Sequence, residues 1–316
     1  MERIILASPR GFCAGVSYAI EVLNLALERY GAPIYTRHAI VHNEHVVRSF
    51  EQRGVIFVEE ISAIPPGSVV VFSAHGVSPQ VRREAQERGL RIVDATCPLV
   101  SKVHREVERY AARGFHILYI GHRGHVEAQG IIGYAPERVT LIASIEEAES
   151  VQVPDGELAV ATQTTLSVDE VERIMAVLRR RFPNLHTPPK EDICYATTNR
   201  QNAVKHLARM CDLILVIGSR ASSNSNRLCE VAREMGTPAY LLLEPSEVLP
   251  EWRTDYRCIG ITSGASTPES LVEAIIGELL RGREDVPVET LQTAKEDIFF
   301  IPPRTLIAGA EKAPTD

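Results

Sequence analysis

The chain has 316 residues, 45% of them hydrophobic and 24% charged, with a formal net charge of −7. This is ordinary globular composition with room for more than one folding unit. No apolar run approaches the roughly 20 residues that span a membrane, and the acidic balance argues against a general nucleic-acid binder. The opening MERIILASPRG lacks a secretory h-region of about 7–15 apolar residues, so the cytoplasm is the expected compartment. Six Cys in a reduced compartment are read as ligands, catalysts or core residues, not as a disulfide framework.

The first strand-like run, RIILAS, passes through a Pro/Gly turn to Cys13 and then into a helical pattern. Val16, Ile20, Leu23 and Leu27 fall on one face at the 3.6-residue period, and Gly31 follows as a stop signal. A second strand, PIYTR, leads to the polar loop around His42. A third is VIFV, and a fourth, VVVF, enters SAHGVSP and another helix. The order then repeats. RIVDATCPLV carries Cys97 into a helix faced by Leu99, Val103, Val107 and Tyr110, with Pro98 suited to its first turn. HILYIGHRGHVEAQG, VTLIA and LAVATQTTLS follow. The third copy begins at PKEDICYATTNRQ, which has the weakest strand, and continues through LILVIGSRASSNSNRL, AYLLL and RCIGITSGASTPE.

Cys13 to His42, Cys97 to His125 and Cys194 to Asn224 span 29, 28 and 30 residues. From each Cys to the last polar turn, at His75, Thr164 and Ser266, the gaps are 62, 67 and 72. Strands alternating with helices predict parallel sheets, and ligands in such sheets bind beyond the carboxyl ends of the strands. The expected architecture is three small repeated α/β domains in a pseudo-threefold arrangement, with strand ends facing one centre. The units are 1–96, 97–193 and 194–282. The tail 283–316 is expected to dock through 297–306, with roughly the last ten residues disordered.

Cys211, Cys229 and Cys258 lie in apolar patterns without counterparts in the other copies, and read as core. Cys13, Cys97 and Cys194 each stand where a strand gives way to a helix, a setting that favours thiolate. Zinc normally takes four ligands in closely spaced pairs. Iron–sulfur clusters are usually held by four thiolates, so three would leave one iron open as a Lewis acid. A nucleophile or a core role remains open for any one of the three. His42, His75 and His125 follow strands in polar loops. Ser222, Ser223 and Asn224 open one helix, and Ser266 precedes another, as in loops that bind phosphate through N–H groups and hydroxyls. Glu127 beside His125 is a candidate proton donor or a first-turn helix carboxylate. Thr164 and Thr165 are candidates to cap a helix or pass a proton. Neither common nucleotide-binding glycine motif is present.

Nine ordered motifs, RGFCAGV, VHNEHVV, FSAHGVSP, DATCPLVSKVH, GHVEAQG, ATQTTLS, DICYATTNRQ, GSRASSNSNRL and TSGASTPE, together resemble the 4-hydroxy-3-methylbut-2-enyl diphosphate reductases of the non-mevalonate isoprenoid pathway, from residue 3 to about 281. EDIFFIPPRTL is similar to that family's closing segment. The resemblance implies one central [4Fe–4S] cluster held by Cys13, Cys97 and Cys194, its fourth iron left to the substrate's C4 hydroxyl. It implies diphosphate binding by His42, His75, His125, Ser222, Asn224 and Ser266, with Ser223 beside them. Glu127, helped by Thr164, would deliver protons, and ferredoxin or flavodoxin would supply two electrons. The products would be isopentenyl and dimethylallyl diphosphate. A non-enzymatic iron–sulfur sensor or carrier would not need the His/Ser/Asn ring. A redox-neutral cluster dehydratase would run without reductant.

Overall fold

The computed structural model describes residues 1–283 and 285–307. In chain order the first elements are β1 (Arg3–Ser8), α1 (Ala14–Tyr30), β2 (Ile34–Arg37), α2 (Glu44–Glu51), β3 (Val55–Val58), β4 (Val69–Phe72), α3 (Pro79–Glu87) and β5 (Arg91–Asp94). Next come α4 (Pro98–Ala112), β6 (His116–Ile120), α5 (Val126–Ile132), β7 (Val139–Ile142), α6 (Ile145–Ser150), β8 (Leu158–Thr162) and α7 (Val168–Arg181). The last are α8 (Tyr195–Ala208), β9 (Leu213–Ile217), α9 (Ser223–Glu234), β10 (Ala239–Leu242), α10 (Trp252–Asp255), β11 (Cys258–Ser263), α11 (Glu269–Leu279), β12 (Val288–Gln292) and α12 (Arg304–Ile307). No described helix is long and apolar enough to cross a membrane.

The strands form three sheets, ordered β3-β2-β4-β5, β7-β6-β8 and β10-β9-β11-β1-β12. Every strand pair is parallel. Helices cover both faces of the central strands. β9 and β11, both interior strands, are buried along their whole length, and β9 reads as a continuous apolar run. The α/β expectation with repeated parallel sheets holds. Side chains set several helix starts: Asn43 accepts from the His45 and Val46 N–H groups, and Ser78 and Ser167 each accept from an N–H three residues on.

The structure corrects the placement of β1. RIILAS does not join the sheet of the residues that follow it. It pairs with β11 and β12, at the far end of the sequence. The first three strands of each sheet run in the same order, and the fourth place is filled differently in each. β5, which leads to Cys97, fills it in the first sheet and β1 in the last. In the middle sheet, only a single bridge between Ala159 and His186 stands there. The segment before Cys194 is therefore not a strand. Each Cys sits where the chain leaves one sheet for the next unit, so residues 1–8 belong with the third unit and not with 9–96.

Two helix faces also differ from the period reading. Val16, Ala19, Val22, Leu23 and Ala26 are the buried stripe of α1, while Ile20 and Leu27 lie half-buried at its margin. In α4, Val100, Val103, Val107 and Tyr110 are buried, and Leu99 turns toward a cavity. The tail adds a strand the sequence pattern did not show, β12. It docks through Glu296 and Leu306, and Ile298, Phe299 and Ile301 stay exposed. The disorder expected at the end falls on 308–316, outside the described residues.

Because β1 packs in the third sheet, Ile5→Ala should cost about 2–5 kcal/mol, as for other buried Ile truncations. Native-state hydrogen exchange should lose protection in β11 and β12 before β2. The reverse order would return β1 to the first unit.

Candidate functional site

Cys13, Cys97 and Cys194 are the N-cap residues of α1, α4 and α8, and none of the three caps its helix with its side chain. The three sulfurs are left facing inward at three positive helix ends. Close packing brings them together. A Cβ built on Gly15 would lie 2.5 Å from the Cys97 Sγ and 3.9 Å from the Cys13 Sγ. The Cys194 Sγ lies 3.2 Å from the Thr197 Oγ1. Burial pushes the Cys97 thiol up to about 12 and the Cys194 thiol up to about 11, and the Cys13 charge adds to both. Among the described residues, no three His, Cys, Asp or Glu side chains are gathered as they would be around a single metal ion.

One cavity collects every candidate site residue singled out from the sequence. From the first unit come Cys13, His42 and His75; from the second, Cys97, His125, Glu127, Thr164 and Thr165; from the third, Cys194, Ser222, Ser223, Asn224 and Ser266. The three imidazoles cluster, with ring centroids 4.1 Å apart for His42 and His75, 5.5 Å for His42 and His125, and 6.0 Å for His75 and His125. Burial, then mutual repulsion, holds His75 well below the usual histidine range and His125 at about 3. His42 is lowered by burial and by His38. All three are therefore neutral near pH 7 while nothing anionic is beside them.

Their partners fix the donors. The His125 Nδ1 accepts from the Glu127 N–H at 3.1 Å, so its proton sits on Nε2, which is buried without a partner. The His42 Nε2 and Asn224 Nδ2 are also buried, and all three atoms lack a partner among the described residues. Asn224 is oriented by its Oδ1, which accepts from the Ala265 N–H at 3.0 Å. Ser222 caps α9 by accepting from the Ser225 N–H, leaving its O–H free of that bond. Two hydroxyls are engaged across units: Ser266 donates to the His42 carbonyl at 2.9 Å, and Ser223 to the Thr165 carbonyl at 3.3 Å.

Glu127 is 2% exposed. Its Oε1 accepts from the Thr164 N–H at 2.7 Å, and its Oε2 from the Thr164 hydroxyl at 2.9 Å. Burial outweighs these two bonds and pushes the carboxyl up to about 7. The capping reading of Thr164 gives way to this contact; Ser167, not Thr164 or Thr165, caps α7.

Sequence reasoning missed several residues that shape the site. Thr197, beside the Cys194 sulfur, had a signal in its place three residues into a cysteine-capped helix. Gly15 had none, because its role is the contact with Cys97 on another helix. Lys102 had none either. Its Nζ donates to the Lys190 and Glu191 carbonyls and to the Asp192 Oδ1 at 2.9, 3.1 and 2.9 Å. It thereby ties the Cys97 helix to the segment entering Cys194. The core reading of Cys211, Cys229 and Cys258 agrees with their burial; Cys211 and Cys258 lie 3.4 Å apart, sulfur to sulfur.

The LytB protein family matches residues 4–280. A 4-hydroxy-3-methylbut-2-enyl diphosphate reductase from Leifsonia xyli is 52% identical over 313 residues, 98% of this chain and 93% of that protein. The enzyme of the same name from Zymomonas mobilis is 51% identical over 307 residues, 97% of this chain and 90% of that protein. The solved structure of the Plasmodium falciparum E-1-hydroxy-2-methyl-but-2-enyl-4-diphosphate reductase superposes with a TM-score of 0.94 at 36% identity, covering 97% of each chain. This chain belongs to the LytB family, whose members among these relatives are reductases of the non-mevalonate pathway.

Proposed function

We propose that this chain reductively dehydroxylates (E)-4-hydroxy-3-methylbut-2-enyl diphosphate, giving isopentenyl and dimethylallyl diphosphate. The C4–O bond breaks, a C–H bond forms, and two electrons and two protons are consumed as water leaves. The observation that carries this reading is Glu127. A buried carboxyl whose proton is held up to about pH 7 opens on the same cavity as three converging cysteines and a set of unpaired donors.

Cys13, Cys97 and Cys194 would hold a [4Fe–4S] cluster. The fit rests on three uncapped sulfurs at helix N-termini that line one cavity. When bound, the cluster supplies low-potential electrons and an iron without a protein ligand that polarises the C4 hydroxyl. Metal ligation also deprotonates the buried thiols, which burial alone keeps neutral.

The remaining work belongs to side chains. The Nε2 of His125 and the Nδ2 of Asn224 are buried donors, and the Nε2 of His42 a buried polar atom, all without a partner among the described residues; a diphosphate satisfies the two donors, and the third when His42 carries its proton there. His75, Ser222, Ser223 and Ser266 complete the ring, and anchoring the diphosphate positions the far end of the substrate. Glu127 supplies the proton to the leaving hydroxyl. Thr164 fixes both of its oxygens and, as donor and acceptor, passes the proton onward. Ferredoxin or flavodoxin is the electron source in this reading, and the cytoplasm its compartment.

The direct test is anaerobic purification with iron and sulfide analysis, then assay of the hydroxylated diphosphate with a low-potential reductant. Turnover without reductant, or a preparation that cannot bind iron, overturns the reading. Because Glu127 acts in its protonated form, turnover should fall as pH rises through about 7. Glu127→Gln should lower kcat by about 10²–10⁴-fold at unchanged iron content and abolish that pH limb. Cys13→Ser should lose iron and sulfide; full retention of both would remove Cys13 from the ligand set. Asn224→Ala should weaken inorganic pyrophosphate binding by about 10–150-fold, the range for a hydrogen bond to a charged group, read by calorimetry.

A further inference from the structure

The largest side chain among the fully buried ones is Arg200, on α8, six residues beyond Cys194. Its guanidinium reaches out of its own helix. Nη2 donates to the Gly11 carbonyl at 2.8 Å, two residues before Cys13. Nη1 donates to the Ala196 carbonyl and to the Glu296 Oε1, both at 3.0 Å. Glu296 is the one carboxylate in ion-pair contact with it among the described residues. The Asn199 amide donates to the same Glu296 oxygen at 3.1 Å.

Glu296 comes from the tail. It lies four residues past β12, which pairs with β1, and between them Thr293 bonds the Ser8 carbonyl through its N–H and its hydroxyl. The chain on both sides of the Cys13 turn is thus held by the third unit. The Gly11 N–H donates to the Ser263 Oγ at 2.8 Å, the Cys13 N–H to the Ala265 carbonyl at 3.2 Å, and the Ala14 N–H to the Tyr195 hydroxyl at 3.3 Å. The Gly11 carbonyl has Arg200. A buried guanidinium stays in place only while its charge is balanced. Glu296 supplies that balance from a segment that does not itself line the cavity.

We propose that Arg200 and Glu296 are positioning residues for the Cys13 thiol: the C-terminal segment, through Glu296, holds Arg200 over the Gly11 carbonyl, and so sets where one of the three site sulfurs stands. The consequence for a cluster rests on the ligand reading above; the clasp itself does not.

The test uses the full chain, metal-free and reconstituted, with three variants. In the metal-free chain, alkylation of each cysteine by iodoacetamide is followed by peptide mass spectrometry, with Cys229, buried in another cluster, as internal control. Glu296→Gln and the double variant R200M/E296L should each raise the Cys13 rate about fivefold, the factor for one lost hydrogen bond. Cys229 should not change. Glu296→Asp, which keeps the charge, should return the rate toward that of the parent. In the reconstituted chain, iron loss to a chelator should rise by a similar factor in the first two variants. R200M/E296L leaves no unpaired buried charge, so it carries the test if Glu296→Gln loses its cooperative melt. A Cys13 rate in the double variant equal to the parent's overturns the proposal. If the parent binds no iron while Cys13 labelling responds, the ligand reading falls and the clasp stands. If iron binds and labelling does not respond, the clasp falls alone.

Discussion

At Gly15 the chain has no side chain, and the Cys97 sulfur lies 2.5 Å from where a Cβ would be. That contact lets the N-terminus of α1 meet the N-terminus of α4. Lys102 and its three acceptors do the same for α4 and the segment entering α8, and Arg200 for α8 and the Gly11 turn before α1. The ring closes because β1 crosses to the third sheet, bringing the first Cys back beside the last. Three sulfurs from three units can face one cavity only if all three junctions hold.

Burial then decides the electrostatics of that cavity. It holds three imidazoles neutral, two thiols protonated and one carboxyl at the edge of ionisation. Each group is left in its uncharged form or, for Glu127, at the edge of it. An anion entering such a site meets N–H donors in place of fixed positive charges, which suits a chain whose net charge is −7 and whose site loops carry few lysines. The unpaired Nε2 and Nδ2 atoms of His42, His125 and Asn224 are costly while unsatisfied. That cost is what the proposed diphosphate would remove.

Much of this was legible in one dimension. Parallel α/β units follow from strands alternating with helices, and the repeat spacing ties Cys13, Cys97 and Cys194 to equivalent turns. The candidate residues at those turns all line one cavity. Residue type and spacing carry this information because strand ends in such sheets share a side. The helix faces were read less well: in α1 the small residues Ala19 and Ala26, not the larger Ile20 and Leu27, make the buried stripe, since a neighbour packs closely there.

What the sequence by itself determined is the inventory: the fold class, the threefold pattern and the candidate side chains that line the cavity. Tertiary structure alone decided which sheet β1 joins, that no strand leads directly into Cys194, and that the tail, with Phe299 exposed, docks through Glu296 as well as through Leu306. It also decided the state of Glu127, whose proton depends on burial and on Thr164, a partner 37 residues away. The physical reason is the same throughout. Local pattern fixes what a segment can form, whereas pairing partners, buried counter-charges and close approaches are made between segments up to 285 residues apart, as Thr293 and Ser8 are.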